Sequence, residues 1–182
     1  MKSLKVGICG FGTVGGGTFN VLTNNAIEIA RRAGCDIEVA QVGARRDNAD
    51  CDTSNTSITR DIFDVARNPE IDVVVELIGG YDVAKELVME AIKNGKHVVT
   101  ANKALIAVHG EEIFAAAKKA GVTVGYEAGV AGGIPVIKAI REGLAANKIN
   151  RVAGIINGTG NFILTEMRDK GRDFADVLQE AQ

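Results

Sequence analysis

Short apolar runs alternate with longer amphipathic stretches along the first 126 residues of the chain. β-Branched residues dominate the runs, which are four to seven residues long. Such runs predict strands, because parallel strands that are buried on both faces are short and continuously apolar. The predicted strands cover residues 4–9, 37–42, 72–78, 97–100 and 122–126.

The stretches between these runs have apolar residues at helical spacing and end at residues that stop helices. Gly34, Gly95 and Gly121 each stand where a C-terminal helix cap is expected, and Pro69 closes a shorter helix. A polar segment at 47–60 is predicted to be a surface loop. The alternation of strand and helix predicts a doubly wound parallel α/β sheet. The predicted helices cover residues 14–33, 61–68, 82–94 and 104–120.

The pattern changes after Tyr126. A glycine-dense loop at 127–134 precedes Pro135, which opens a helix predicted to run to about Asn147. A strand at 149–156 and helices at 161–170 and from Phe174 onward are predicted after it. We therefore expect one domain at 1–130 and the start of a second, α+β domain at 131–182. The last predicted helix has no cap after it, which indicates either a fragment or a ragged end.

Composition and charge narrow the class of protein. The chain has 21 Lys and Arg against 23 Asp and Glu, and this net charge of −2 argues against nucleic-acid binding. No apolar run is long enough to span a membrane, and no signal peptide precedes the first strand. The 3 cysteines lack paired spacing, as expected of a reducing compartment. We expect a cytoplasmic protein with an aliphatic core.

A glycine-rich turn follows the first predicted strand. It reads Gly10-Phe11-Gly12-Thr13-Val14-Gly15 and opens a helix within a strand–helix–strand unit, the context in which this spacing marks a dinucleotide site of a Rossmann domain. Gly10 permits the tight turn, Gly12 lets a pyrophosphate approach the backbone, and Gly15 lets helix and strand pack closely. The helix N-terminus supplies N–H donors to the pyrophosphate. The alternative is a glycine turn without a ligand.

Arginines follow the second predicted strand, where NAD-binding domains usually place an acidic residue against the ribose. Arg45 and Arg46 can bind a 2′-phosphate instead, which favours NADP. Asp47 follows at once and leaves NAD open, and two solvated surface arginines are the simpler alternative.

Three further segments lie at predicted strand ends or beyond them. Gly79 and Gly80 would let the nicotinamide half of a cofactor approach the backbone, or they form a plain turn. Lys103 would hold a carboxylate or move a proton near the nicotinamide, or it is simply solvated. The 127–134 loop is poor in side-chain ligands, so its carbonyls would suit a hard cation such as sodium or calcium, although a hinge between domains is the better local interpretation.

Taken together, these segments make the chain similar, over essentially its whole length, to the N-terminal part of bacterial homoserine dehydrogenases. The turn at 10–15 is the least specific mark of this resemblance. The other marks are Val75-Glu76-Leu77-Ile78-Gly79-Gly80, Thr100-Ala101-Asn102-Lys103-Ala104-Leu105, the loop from Glu127 to Pro135, and Ile155-Ile156-Asn157-Gly158-Thr159-Gly160-Asn161-Phe162-Ile163-Leu164.

The resemblance implies a reversible, NAD(P)-dependent reduction of aspartate 4-semialdehyde to homoserine, on the route to threonine, methionine and isoleucine. It implies a catalytic role for Lys103 and contacts of Gly79 and Gly80 with the nicotinamide ribose. It also places Asn157 and Gly158 against cofactor and substrate. The metal site that it implies is a sodium ion bound by backbone groups of Glu127, Val130, Gly132 and Ile134.

Members of this family continue beyond the final helix into a segment with a second catalytic lysine. We therefore expect a truncated second domain that is used for catalysis and dimerisation, no activity in this chain alone, and a homo-oligomeric full-length protein. An NADP-binding sensor without catalysis is the alternative from another class, but Lys103 and the segment from Asn157 favour an enzyme. Another Rossmann semialdehyde or sugar-acid dehydrogenase is the alternative among enzymes. Its phosphorylating type needs a nucleophilic cysteine, which the positions of the three cysteines do not favour.

Overall fold

The structure of the protein is a computed structural model that describes residues 3–155 and 157–181. Six parallel strands form its sheet. The strands are β1 (Leu4–Cys9), β2 (Ile37–Gly43), β3 (Ser57–Thr59), β4 (Val73–Glu76), β5 (His97–Thr100) and β6 (Val124–Gly125). The helices of this part are α1 (Thr13–Asn24), α2 (Ala26–Ala33), α3 (Ile62–Arg67), α4 (Asp82–Lys93) and α5 (Lys103–Ala120). A 3₁₀ turn (Glu127–Gly129), α6 (Val136–Lys138), a π-helical turn (Ala139–Gly143), α7 (Gly158–Lys170) and α8 (Phe174–Ala181) follow.

The strands lie in the order β3-β2-β1-β4-β5-β6, and every neighbouring pair is parallel. This order is that of a doubly wound Rossmann sheet, so the predicted fold class is confirmed. The order in which strands are added reverses at β1: β2 and β3 lie on one side of it, and β4, β5 and β6 lie on the other. Such a switch point opens a crevice at the carboxyl ends of β1 and β4. Cys9 pairs with Glu76, and Glu76 pairs with Thr100, so the last residues of three strands lie side by side at that crevice.

Apolar side chains form two clusters because successive residues of a strand point to opposite faces of the sheet. Val74 belongs to the cluster that contains Leu87 of α4 and Ile113 of α5. Val75, the next residue, belongs to the cluster that contains Phe19 of α1. The middle strand is thus covered on both faces, as its unbroken β-branched sequence predicted.

Two local predictions in this part are wrong. The helix predicted over 14–33 is divided at Asn25, whose φ of −106° and ψ of 17° lie outside the helical range. Asparagine competes for backbone hydrogen bonds and therefore favours helix ends over helix interiors. The loop predicted over 47–60 contains β3, which pairs with β2 from Gln41 to Gly43. A three-residue polar edge strand has too short a pattern to be found in the sequence.

Larger differences occur after residue 135. The helix predicted from Pro135 to Asn147 is replaced by α6 and the π-helical turn. The strand predicted at 149–156 is absent over 149–155, and residue 156 lies outside the described part of the chain. Ile149, Val152 and Ile155 are exposed there and have no paired strand among the described residues. A lone strand is unstable without a partner.

Two compact units divide the chain, the first up to Lys138 and the second from Ala139 onward. We call them the sheet unit and the C-terminal unit. A domain boundary near residue 130 stays a prediction. Within the described residues, none of the helices has the length and apolar character needed to cross a membrane.

Candidate functional site

The glycine turn after β1 is constrained by the protein itself at two of its three motif glycines. Gly10 has a φ of 97°, and a Cβ atom there would collide with the Leu77 carbonyl oxygen. A Cβ atom at Gly15 would collide with the Gly10 carbonyl oxygen. Gly12 differs, because a Cβ atom there would have no neighbour within 4 Å. The structure therefore requires Gly10 and Gly15 for packing and leaves open space at Gly12, where a ligand can approach.

The first turn of α1 faces this space. Gly12 occupies the N-cap and offers no side-chain cap, so the first N–H groups of the helix lack the partner that most helices provide. Val14 is 57% exposed, and Thr13 is also exposed. The Phe11 side chain is instead buried edge-on against Phe19, with ring centroids 5.5 Å apart. Residue 11 thus presents only its backbone to a ligand, while the helix N-terminus offers donors to an anion.

A polar loop contacts this turn through Asn48 and Cys51, two residues that were not predicted to take part in the site. The Asn48 side-chain amide donates to the Phe11 carbonyl oxygen over 3.1 Å. The Cys51 thiol contacts the Gly16 carbonyl oxygen at 3.6 Å. A Cβ atom at Gly16 would collide with Asn48, so the additional glycine directly after the motif is the signal that could have indicated this contact.

Arg45 and Arg46, directly after β2, are exposed and make no hydrogen bond or ion pair within the described part of the chain. Asp47 is the acidic residue that kept NAD as an alternative cofactor, and its carboxylate is bound by Arg60. Both Asp47 carboxylate oxygens accept from one guanidinium nitrogen of Arg60, at 2.8 and 2.9 Å. Arg60 also donates to the Ala44 carbonyl oxygen over 3.1 Å. The Asp47 carboxylate is thereby held in an ion pair, and the two preceding arginines remain available to an anion.

The loop after β4 contains two consecutive left-handed residues. Gly79 and Gly80 have φ values of 73° and 68°, which side-chain-bearing residues rarely adopt. The side-chain amide of Asn102, after β5, donates to the Gly80 carbonyl oxygen. The two loops are therefore held together at the crevice.

Lys103 follows Asn102 as the first residue of α5. Asn102 caps this helix by accepting a hydrogen bond from the Leu105 N–H over 3.0 Å. The Lys103 side chain is exposed. The cap fixes its Cα beside the loop that contains Gly80, so the structure brings the predicted nicotinamide-binding glycines and the predicted catalytic lysine to one place.

The glycine-dense loop at 127–134 is ordered by its own acidic residue. The two carboxylate oxygens of Glu127 accept from the N–H groups of Ile137 and Lys138, at 2.9 and 2.8 Å. The Glu127 carbonyl oxygen accepts from Val130, and that of Ile134 from Val136. Each of these carbonyls keeps a second lone pair for another partner. No cluster of three His, Cys, Asp or Glu side chains occurs among the described residues.

Asn157 and Gly158 belong to the C-terminal unit and stand at the start of α7. The Asn157 side chain accepts from the Gly160 N–H over 2.6 Å and caps the helix, while Gly158 is its first residue. Both are exposed. Asn157 therefore has a structural role that explains why α7 begins three residues before the predicted start at residue 161.

Two of the three cysteines are poorly suited to nucleophilic catalysis. Cys9 is fully buried, and burial raises the pKa of its thiol, which the nearby Glu76 carboxylate raises further. Burial and then the charge of Asp50 also raise the pKa of Cys51. A raised pKa keeps a thiol protonated and unreactive at neutral pH.

Comparison with known proteins places this geometry in a family. The family described as "Homoserine dehydrogenase, NAD binding domain" matches residues 10–127, and that described as "Homoserine dehydrogenase" matches residues 135–182. Homoserine dehydrogenase of Pseudomonas aeruginosa is 77% identical over 182 residues, and that of Neisseria gonorrhoeae is 55% identical over 183 residues. In each case the alignment covers 100% of this chain and 42% of the relative.

A solved structure gives the same result in three dimensions. The crystal structure of a homoserine dehydrogenase from Thiobacillus denitrificans superimposes with a TM-score of 0.88 and 62% sequence identity. The match covers 100% of this chain and 42% of that one. The chain thus spans less than half the length of each of these three relatives.

Proposed function

The chain belongs to the homoserine dehydrogenase family, and on that premise we propose that it binds NADP(H) and forms the cofactor side of the site that interconverts L-homoserine and L-aspartate 4-semialdehyde. The family match supports an NAD(P)-binding domain in an oxidoreductase. The preference for NADP, the substrate and the roles of single residues are the parts that we propose.

The arrangement at the end of β2 is the observation on which the NADP proposal rests. A 2′-phosphate carries negative charge, and free guanidinium groups bind phosphate with charge-assisted, bidentate hydrogen bonds. Arg45 and Arg46 are exposed with no partner among the described residues, whereas Asp47 is paired with Arg60. The carboxylate that would repel the 2′-phosphate is therefore paired with a cation, next to two arginines without a partner in the described part of the chain.

Fluorescence titration of the chain with NADPH and with NADH tests this proposal. We expect tighter binding of NADPH. Equal affinities for the two coenzymes would contradict it. If neither NADPH nor NADH bound to the chain, the proposed cofactor site as a whole would be wrong.

We propose that Lys103 acts next to the reacting atoms. The cofactor, when bound, supplies the hydride that is exchanged with the aldehyde carbon. Two observations support the role of Lys103: it is the first residue of α5, and the side chain of the preceding Asn102 donates to the Gly80 carbonyl oxygen. A cation in this place stabilises the negative charge that develops on the substrate oxygen and can donate a proton to it. No cysteine chemistry is needed, in agreement with the raised pKa values of Cys9 and Cys51.

For the C-terminal unit we propose that Asn157 and Gly158 contribute to binding of cofactor and substrate. The exposure of both residues at a helix N-terminus supports this role. An Asn157→Ser variant keeps a capping side chain but removes the amide. It should therefore retain the helix content while weakening substrate use in a protein of the relatives' length, as measured by circular dichroism and steady-state kinetics.

We also propose a sodium site formed by backbone oxygens of Glu127, Val130, Gly132 and Ile134. Two consecutive residues with left-handed φ values, Ala131 at 56° and Gly132 at 59°, turn the backbone of this loop and support the proposal. A high-resolution crystal structure grown in sodium buffer should show density with oxygens at about 2.3–2.6 Å, as expected for a hard cation of this size. Carbonyls that all point to solvent would contradict the proposal.

Homo-oligomerisation of the full-length protein and a cytoplasmic location complete the proposal. Analytical ultracentrifugation of a protein of the relatives' length tests the first, because a monomer at micromolar concentration would contradict it. Cell fractionation tests the second.

A further inference from the structure

Glu76 is a buried acidic residue to which no part of the proposed function assigns a role. It is the last residue of β4, and its side chain has 0% exposure. It has no ion pair among the described residues. A buried carboxylate without a cation is costly unless hydrogen bonds satisfy both of its oxygens. Its partners therefore indicate what the protein gains from keeping it.

Both carboxylate oxygens are occupied by groups at the crevice. Oε1 accepts from the Ile78 N–H over 2.9 Å, at the start of the loop that contains Gly79 and Gly80. Oε2 accepts from the Thr100 hydroxyl over 2.6 Å. Thr100 is the last residue of β5, 1% exposed, and lies directly across from Glu76 in the sheet. One side chain thus holds the ends of two strands.

The hydrogen bonds continue from Thr100 and close a ring. The Thr100 hydroxyl, which donates to Glu76, accepts from the Asn102 N–H over 2.9 Å. The Asn102 side chain donates to the Gly80 carbonyl oxygen and caps α5. The ring runs from the loop after β4, through two buried side chains, to the loop after β5 and back. Every donor and acceptor direction in it is set, since the hydroxyl has one proton and gives it to the carboxylate.

We propose that Glu76 and Thr100 are positioning residues that hold the Gly79–Gly80 backbone and Lys103 in register against the nicotinamide half of the cofactor. This inference rests on the proposed function. The two left-handed glycines have no side chains that could anchor their loop, and the neighbours of a Cβ atom at either would lie beyond 4 Å. Their position therefore depends on the hydrogen bonds of Ile78 and Gly80. Lys103 follows the same Asn102 that holds Gly80.

The ring predicts an effect confined to one half of the cofactor. In the proposed function the adenine half binds at the turn after β1 and at Arg45 and Arg46, and the hydrogen bonds of the ring do not extend to either place. Disturbing the ring should therefore leave the affinity for the adenine half unchanged and weaken only the additional affinity that the nicotinamide half contributes. The ratio of the Kd for 2′,5′-ADP, which lacks nicotinamide, to the Kd for NADPH measures this addition.

The experiment measures both Kd values by calorimetry on the present chain and four variants. Thr100→Val removes the hydroxyl and keeps the shape, whereas Thr100→Ser keeps the hydroxyl. Glu76→Gln replaces one acceptor by a donor, and Glu86→Gln makes the same change at an exposed position of α4. We expect Thr100→Val and Glu76→Gln to lower the ratio about three- to tenfold, the usual effect of losing one or two hydrogen bonds, with the Kd for 2′,5′-ADP unchanged. Thr100→Ser and Glu86→Gln should match the wild type.

Three results would overturn the inference. The first is an unchanged ratio in both ring variants while wild type binds NADPH more tightly than 2′,5′-ADP, in which case the proposed function still stands. The second is an equal loss of both ligands in a folded Thr100→Val variant, which would show a purely structural role. The third is a wild-type chain that binds neither ligand, which would overturn the proposed function as well.

Discussion

The sheet unit and the C-terminal unit use similar proportions of apolar residues to different effect. In the sheet unit, two clusters cover the faces of the sheet, and residues such as Val74, Leu87 and Ile113 are fully buried. In the C-terminal unit, Val177 is fully buried and Ile163 is 7% exposed, whereas Ile155 is 84% exposed and Leu164 67% exposed.

The difference teaches that an apolar pattern predicts an element reliably only where a partner surface covers it. Each predicted strand of the sheet unit forms and pairs with a neighbouring strand. The strand predicted over 149–156 has no paired strand among the described residues and did not form over 149–155. Burial of apolar surface supplies most of the stabilisation of a strand, so a pattern without a partner is not sufficient.

The largest expected effect tests whether the two units of this chain suffice for catalysis without the additional length that its relatives have. The chain as given should bind NADPH but not turn over aspartate 4-semialdehyde, whereas the same chain extended to the length of its relatives should be active. Orientation of both reactants contributes about 7–11 kcal/mol, or about 10⁵- to 10⁸-fold in rate. Steady-state assays of the two proteins measure the difference, and Lys103→Ala in the longer protein should lower kcat sharply. Turnover by the present chain at about 1–1,000 per second would show that its residues already suffice.

Gly15→Ala should cause the next largest effect, within the sheet unit. A Cβ atom at this position meets the Gly10 carbonyl oxygen, which is backbone and cannot move without opening the turn. We expect a loss of about 3 kcal/mol or more in the free energy of unfolding, together with loss of NADPH binding. Urea denaturation and fluorescence titration measure the two effects.

Gly17→Ala is the matched control, because a Cβ atom at Gly17 in the same helix meets nothing within 4 Å. It should stabilise the protein by about 0.5–1 kcal/mol, since alanine favours helix interiors. If both variants lose stability equally, the packing argument is wrong.

The Arg45→Ala, Arg46→Ala double variant tests the end of β2. It should bind NADPH roughly 10- to 100-fold more weakly and NADH with unchanged affinity, because charge-assisted contacts to the 2′-phosphate contribute about 1.5–3 kcal/mol. Arg31→Ala, Arg32→Ala is the control, as those exposed arginines pair with Glu28 in α2. An equal loss for the two coenzymes would instead indicate general electrostatic attraction.

Arg60→Ala should have a smaller effect on the same preference. Freed from Arg60, Asp47 would carry an uncompensated charge near the 2′-phosphate, and we expect NADPH to bind about two- to tenfold more weakly. Adding Asp47→Ala should restore much of the affinity. A double variant as weak as Arg60→Ala alone would mean that Arg60 acts by itself.

The smallest expected effect concerns the C-terminal unit and pH. Lys170 and then Arg172, hydrogen-bonded to Glu166 at 2.8 and 3.1 Å, hold the pKa of that carboxyl below its ordinary value of 4.5. A lowered pKa in the folded state gives stability that is present above pH 4.5 and lost as the pH falls through the lowered pKa. Thermal unfolding monitored from pH 7 to pH 3 should show this loss. Glu166→Gln should flatten it, whereas Glu86→Gln, at an exposed position of α4, should not.

The sequence alone predicted five of the six strands of the sheet, the helices between them except for the division at Asn25, and the glycine turn after β1 as a candidate cofactor site. β-Branched runs, glycine caps and the spacing of Gly10, Gly12 and Gly15 are local signals, and each depends on residues near one another in the chain. The crevice residues Gly79, Gly80 and Lys103 were predicted for the same reason, since each follows a strand end.

The tertiary structure decided what depends on residues far apart in the chain. Asn48 supports the turn at Phe11, Arg60 neutralises Asp47, and Glu76 meets Thr100 across the sheet. No periodicity marks such pairs, because a hydrogen bond between distant residues leaves no pattern within either segment. The short edge strand β3 and the missing strand at 149–155 have the same explanation, because the presence or absence of a neighbouring strand decides them.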